Sequence, residues 1–331
     1  GLDCAERREV GGMMLVVVAG GAGFLGASLV DRLQAEGDEL VVVDDLSHGH
    51  LANLTEARRR GGVRFHRMDV SQGGLATLAD RVRADAWVHL ATAIDPVRAW
   101  EDPTAEARAV VPGGIEVLRA AAATGARAVL VSSGAYLYPA QLTGATSPGD
   151  TPRPVHPSGA ARLAMEAYAG AFTARGLEVA TLVLGTVYGP RQDPLGPGLV
   201  ARAAWTMLQG QPPRVDGDGR QERDFLFVDD AVDAVARAVH ASPPPGRVLV
   251  GTGTATGVLD VVEQLSARIG WAGEPQWAPA RPGDPRRSAL DPAAAGKALG
   301  WQPWTRLDEG LGLTVDWLKA RLPGHHRHIG R

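Results

Sequence analysis

The sequence predicts an α/β protein built on a doubly wound parallel sheet, with a smaller C-terminal substrate lobe. Three observations predict it. Gly20, Gly23 and Gly26 follow one apolar run and open an amphipathic one, short β-branched runs recur between helical stretches, and Asp44 ends the second of those runs. Glycines at that spacing permit a tight strand-to-helix turn whose backbone can approach a pyrophosphate at the helix amino end. Buried strands that alternate with helices imply a parallel sheet covered on both faces.

The elements follow in order. Met14–Ala19 reads as the first strand, and Phe24 to Leu33 as a helix with Leu25, Leu29, Val30 and Leu33 on one face. Glu39–Asp44 is the second strand, Val63–Met68 the third, Ala86–Ala91 the fourth and Ala128–Ser133 the fifth, with a helix from Gly114 to Thr124 ahead of the last. Val179–Leu184 and Arg247–Val250 add two more, and Pro- and Gly-rich turns at 189–198, 211–219 and 242–246 loosen the pattern around them. The expected division is a dinucleotide-binding domain over 13–185, rejoined by 229–253, and a substrate lobe from 186–228 and 254–322. Residues 1–12 read as a leader or appended remnant. Residues 323–331 read as a flexible tail, whose His325, His326 and His328 lack a folded partner, so no metal site is expected.

Composition narrows the function. A formal charge of −3 over 331 residues gives no general reason to expect nucleic acid or a membrane surface as partner. Charge, glycine or proline interrupts every apolar run before it reaches the length of a membrane span. Cys4 is the only cysteine, so no internal disulfide forms, and a reducing cytoplasm is the expected location. A small-molecule substrate and a dinucleotide are the partners that remain.

Asp44 is placed to accept hydrogen bonds from the adenosine ribose hydroxyls, which favours NAD(H) and repels a 2′-phosphate. Ser47, His48 and His50 follow closely enough to take a phosphate, so NADP(H) stays open. Asp69 and Val70 fall where the adenine would lie, and Leu90, Ala91 and Thr92 where a wall beside the nicotinamide ribose would form. Phe24, Leu25, Asp45, Ser132, Leu184, Thr186 and Val187 complete the expected cofactor contacts.

Val43-Asp44-Asp45-Leu46-Ser47, Val187-Tyr188-Gly189-Pro190-Arg191-Gln192, Gly217-Asp218-Gly219, Arg223-Asp224-Phe225 and Arg281-Pro282-Gly283-Asp284 occur in this order along the chain. With these markers, the stretch from about Met14 to Leu322 resembles the extended short-chain dehydrogenase/reductases, the NAD-dependent epimerase/dehydratase family. The resemblance implies a Rossmann fold, a nicotinamide cofactor, a homodimer and a Ser/Thr-Tyr-Lys triad. On the family's pattern Gly134 stands in the Ser/Thr position, Ser158 in the tyrosine position and Arg162 in the lysine position. Ser158 is shorter and far less acidic than a phenol, while Arg162 keeps a permanent charge and can hydrogen-bond a ribose. Arg223 and Arg281 fall where relatives grip a nucleotide diphosphate.

The altered triad resembles the atypical ketoreductases of angucyclinone-type polyketide tailoring in antibiotic biosynthesis. The expectation that follows is an NAD(P)H-dependent ketoreductase acting on a large aromatic ketone, with proton transfer from the substrate's own hydroxyl. Among protein donors Tyr136 is preferred, because it begins the loop after the fifth strand; Tyr138, His156, Ser132, Ser133 and Ser158 are the others. Expected substrate contacts are Ile94, Ser133, Gly134, Tyr136, Trp205, Arg223 and Arg281, with Trp100 and Met207 adding apolar surface. Two alternatives stand beside this one. A nucleotide-sugar epimerase or dehydratase is supported by Arg223 and Arg281, and a non-catalytic dinucleotide-binding protein is permitted by the altered triad.

Overall fold

The computed structural model describes residues 12–91, 99–138 and 144–322. Its strands are β1 (Leu15–Ala19), β2 (Glu39–Asp44), β3 (Val63–Arg67), β4 (Ala86–His89), β5 (Arg127–Ser133), β6 (Val179–Leu184), β7 (Thr186–Tyr188), β8 (Arg214–Asp216), β9 (Glu222–Arg223), β10 (Phe225–Phe227), β11 (Arg247–Val250), β12 (Thr256–Gly257) and β13 (Gln276–Ala278). Seven of them form one parallel sheet in the order β3-β2-β1-β4-β5-β6-β11. The order reverses between β1 and β4, and ligands of such sheets bind outside the carboxyl ends of the strands at that point. The doubly wound α/β class read from the sequence is the observed one.

Alternation along each strand assigns one set of side chains to each face. Val16, Val18, Leu40, Val42 and Val88 lie in the core shared with the helices Phe24–Ala35 and Val228–His240. Val17, Val41, Val43, Trp87 and Leu130 lie in the opposite core, under the helices Leu75–Val82, Pro103–Thr124 and Pro157–Thr173. Both faces are apolar, so the strands read as continuous hydrophobic runs. β2, β6 and β11 have the residues expected, and the other sheet strands differ from expectation by one or two at their ends.

The main departure is the helix Pro103–Thr124, which starts eleven residues before the expected Gly114. Pro112, Gly113 and Gly114 have the composition of a break. Asp102 instead caps the helix by accepting from the Ala105 amide at 2.8 Å, with Pro103 suited to its first turn. The two glycines serve packing: a β-carbon at Gly114 would lie 2.7 Å from Met165 Cγ, and one at Gly113 would lie 3.0 Å from Val70 Cγ2.

Beyond β6 the chain leaves and rejoins the sheet. β11 pairs with β6, while β7 and β10, β8 and β13, and β9 and β12 form three two-stranded ribbons over the carboxyl edge. Buried Asp224 ties these segments together, accepting from Thr252 N and Oγ1, Gly253 N and Leu290 N at 2.7–3.2 Å. No described helix is long and apolar enough to cross a membrane. The expected leader at 1–12, apart from its last residue, and the tail at 323–331 lie outside the described residues.

Candidate active site

The glycine turn is closed by backbone, not by side chains. Gly20 has φ +82° and donates its amide to Val43 O at 2.8 Å. A β-carbon at Gly26 would sit 2.1 Å from Gly20 O, so that position admits no side chain. Gly23 caps the helix Phe24–Ala35 without a side-chain partner, which leaves the helix amino end directed toward a cleft. Asp44 is buried at the end of β2, where its carboxylate accepts from the Ala22 and Leu46 amides, each at 2.9 Å. Ser47 bonds to Asp45 through both its amide and its hydroxyl, and Asp69 is likewise engaged by Ser71.

One cleft of about 940 Å³ runs from this turn across the sheet edge to the C-terminal ribbons. Gly20, Gly23, Phe24, Leu25, Gly26, Asp44, Asp45, Ser47, His48, Asp69 and Val70 line its first half. Leu90, Ala91, Ser132, Ser133, Tyr136, Arg162, Leu184, Thr186 and Val187 line its middle, and Arg223 and Arg281 its far end. Thr92 and Ile94 lie outside the described residues.

Of the expected site residues, Gly134, Tyr138, Ser158, Trp205 and Met207 do not line the cleft, and Trp100 and His156 line only a smaller one beside it. A β-carbon at Gly134 would point into Leu290, 2.8 Å from both its methyls, so a hydroxyl there would face the core. Ser158 is fully buried, and its hydroxyl has no partner among the described residues. Trp205, on the helix Leu199–Leu208, packs against the main core, as does fully enclosed Met207. Ser132 reaches the cleft wall, yet its hydroxyl donates to Glu166 at 2.5 Å, and Glu166 in turn holds Arg247.

The middle of the cleft is organised around two contacts invisible in the local sequence. The Tyr136 ring stacks on His156 with centroids 4.3 Å apart and planes at 26°. His156 itself caps the helix Pro157–Thr173, its Nδ1 accepting from Ser158 N at 3.2 Å. The Tyr136 loop lies against this helix start because residue 159 is glycine: a β-carbon there would be 2.0 Å from Tyr136 O. Arg162 is paired by Glu106, a residue that no motif marks, at 3.3 Å.

His89 ends β4 beneath Arg162. Burial, followed by the nearby Arg162 charge, holds it down at about 4, against a hydrogen bond to the Val110 backbone that favours its protonated form. The folded state therefore keeps His89 neutral, whereas the unfolded chain protonates it near 6.5. The contribution to stability is full above the unfolded value and is lost as pH falls toward the folded one, up to about 3 kcal/mol. Urea unfolding of the chain and of His89→Gln between pH 7 and 4.5 tests this. The difference in stability between the two should change across that interval; parallel curves would refute the assignment.

At the far end, Arg223 is buried and pairs with Asp284 at 2.5 Å rather than with adjacent Asp224, and also donates to Pro285 O at 2.7 Å. Arg281 pairs with Asp216 at 2.5 Å, and Arg214 reaches the same carboxylate at 2.8 Å. Arg191, which pairs with Asp31 at 2.6 Å, and Arg202 join them, so five arginines stand in this part of the lining. The sequence singles out two of the five arginines, because only those fall at positions where relatives grip a diphosphate.

A parallel sheet with its crevice at the β1/β4 reversal, a glycine turn and an acidic end to β2 define a dinucleotide-binding enzyme fold. Residues 16–251 match the NAD dependent epimerase/dehydratase family, and the chain belongs to that family. It is 36% identical over 311 residues to a UDP-glucose 4-epimerase of Mycolicibacterium smegmatis, covering 93% of this chain and 99% of that one. Among solved structures it is similar to the UDP-glucose 4-epimerase of Thermotoga maritima with UDP-glucose, at 32% identity and a TM-score of 0.88, covering 94% and 100% of the two chains. The UDP-glucose 4-epimerase of Thermus thermophilus in complex with NAD is similar at 34% identity and a TM-score of 0.84, covering 93% and 100%.

These relatives overturn the expectation of a ketoreductase acting on an aromatic polyketide. The lining gives the physical reason. The far end is arginine-rich rather than flat and apolar, and Trp205 and Met207 belong to the core.

Proposed function

We propose that this chain is an NAD-dependent enzyme acting on a nucleoside diphosphate sugar, of the 4-epimerase type. One observation carries the reading: a single continuous cleft joins the glycine turn and Asp44 to an arginine-rich far end, where Arg214 and Arg281 share the one carboxylate of Asp216. Arginine forks suit the oxygens of a diphosphate.

The residues present fit the cofactor. The closed glycine turn would take a pyrophosphate at the helix amino end, Asp44 would accept from the adenosine ribose hydroxyls, Asp69 and Val70 would flank the adenine, and Arg162 would bond the second ribose. Bound NAD supplies a hydride acceptor at the sugar carbon. Tyr136, the only phenol among the described residues of the lining, holds the proton of the reacting hydroxyl and returns it. Burial of Ser158 supports giving this role to Tyr136 rather than to residue 158. Arg223, Arg281 and Arg214 anchor the diphosphate.

Incubation with NAD and UDP-glucose, followed by proton NMR of the sugar anomeric region, tests the reading. Appearance of the 4-epimer is the expected result. A second reading, a non-catalytic dinucleotide-binding protein, is favoured by Ser158 and Arg162 standing at triad positions. NAD binding with no conversion across a panel of nucleotide sugars would select it and sink the first.

A further inference from the structure

Arg162 places a permanent cation where solvent barely reaches: its side chain is 13% exposed, and a guanidinium does not shed its proton to escape burial. A buried charge persists only when it is paired and hydrogen-bonded. The pairing is supplied from another helix. Glu106 lies in the first turn of Pro103–Thr124, 2% exposed, with Oε1 at 3.3 Å from Arg162 Nη1. The same Nη1 donates to Ser158 O at 3.2 Å, so two acceptors hold one corner of the guanidinium. Nε and Nη2 have no partner among the described residues and are not sealed from solvent, while Arg162 lines the cleft.

We propose that Glu106 is a positioning residue: its buried carboxylate holds the inner corner of Arg162, so that the outer N–H groups are presented to the cofactor. The inference rests on the NAD reading above. Without Glu106, Arg162 would extend toward water, since a lone buried cation is the costlier state, and the outer groups would leave their place. Glu106 acts only through Arg162 and does not touch the ligand.

A double-mutant cycle on cofactor affinity tests the proposal. Dissociation constants for NADH are measured by fluorescence for the unaltered chain, Glu106→Gln, Arg162→Gln and the double variant, with melting curves in parallel. Glu106→Gln and Arg162→Gln should each weaken binding by about 10-fold, the discrimination expected of one charge-assisted hydrogen bond. The double variant should be no weaker than Arg162→Gln alone, because coupled groups are not additive. A purely structural Glu106 would lower the melting temperature and leave affinity unchanged, or add its effect to that of Arg162; either result overturns the proposal. If Glu106→Gln does not fold, Glu106→Asp withdraws the carboxylate by one methylene, and unchanged affinity there also overturns it. Failure of the unaltered chain to bind NADH or NAD would instead overturn the cofactor reading and this proposal with it.

Discussion

Turnover of the Tyr136→Phe variant is expected to fall by about 10²- to 10⁴-fold, the usual loss when a positioned acid–base group is removed, with NAD affinity unchanged. The variant isolates the hydroxyl. Phenylalanine keeps the ring that stacks on His156 at 4.3 Å, so the loop after β5 should stay in place. Three of the other candidates are poorly placed to take over. Ser158 is fully buried behind the cleft wall, the Ser132 hydroxyl is committed to Glu166, and Arg162 cannot give up a proton at ordinary pH. Steady-state rates paired with NADH titration separate the outcomes. Undiminished turnover would move the proton to another group, and lost turnover with lost cofactor affinity would point to a disturbed loop instead.

The Gly26→Ala variant is expected to lose NAD binding by roughly 100-fold, which corresponds to about 3 kcal/mol. The new methyl would lie 2.1 Å from Gly20 O and 2.7 Å from Gly21 Cα, both backbone atoms that no rotamer change can remove. Relief requires the turn to open. Gly20 is bonded to Val43 O at the end of β2, so the disturbance reaches the strand that carries Asp44. Gly23→Ala is the control for folding. Its β-carbon would meet nothing nearer than Gly20 O at 3.4 Å, and its φ of −76° suits any residue. That variant should melt like the unaltered chain and show only whatever loss the methyl imposes at the ligand. Isothermal titration and circular dichroism measure both, and Gly26→Ala binding NAD normally would refute the close-approach argument.

Much of the site's first half is legible in the sequence. Gly20, Gly23, Gly26 and Asp44 sit within one strand–turn–helix–strand unit, where spacing along the chain translates directly into spacing in space. The middle is less legible. On the family pattern position 134 faces substrate, but Leu290, brought in from the far end of the chain by Asp224, fills the space where its side chain would go. Glu106 gives no signal, since an acidic residue in a first helical turn is ordinary surface chemistry. Its partner Arg162 is 56 positions away. Substrate class is misread from the sequence for a related reason. The residues that the resemblance puts at triad positions outweigh Arg223 and Arg281 there, and the other three arginines at the far end of the lining carry no sequence signal for a diphosphate.

Hydrophobic periodicity and glycine spacing alone determined that this chain forms a parallel α/β sheet with a dinucleotide turn, because both act over a few consecutive residues. Only the tertiary structure decided which polar groups meet: Tyr136 on His156, Glu106 on Arg162, and Arg223 with Asp284 rather than its neighbour Asp224. Those contacts depend on how helices and ribbons from separate parts of the chain pack over the sheet edge, and no local pattern carries that information.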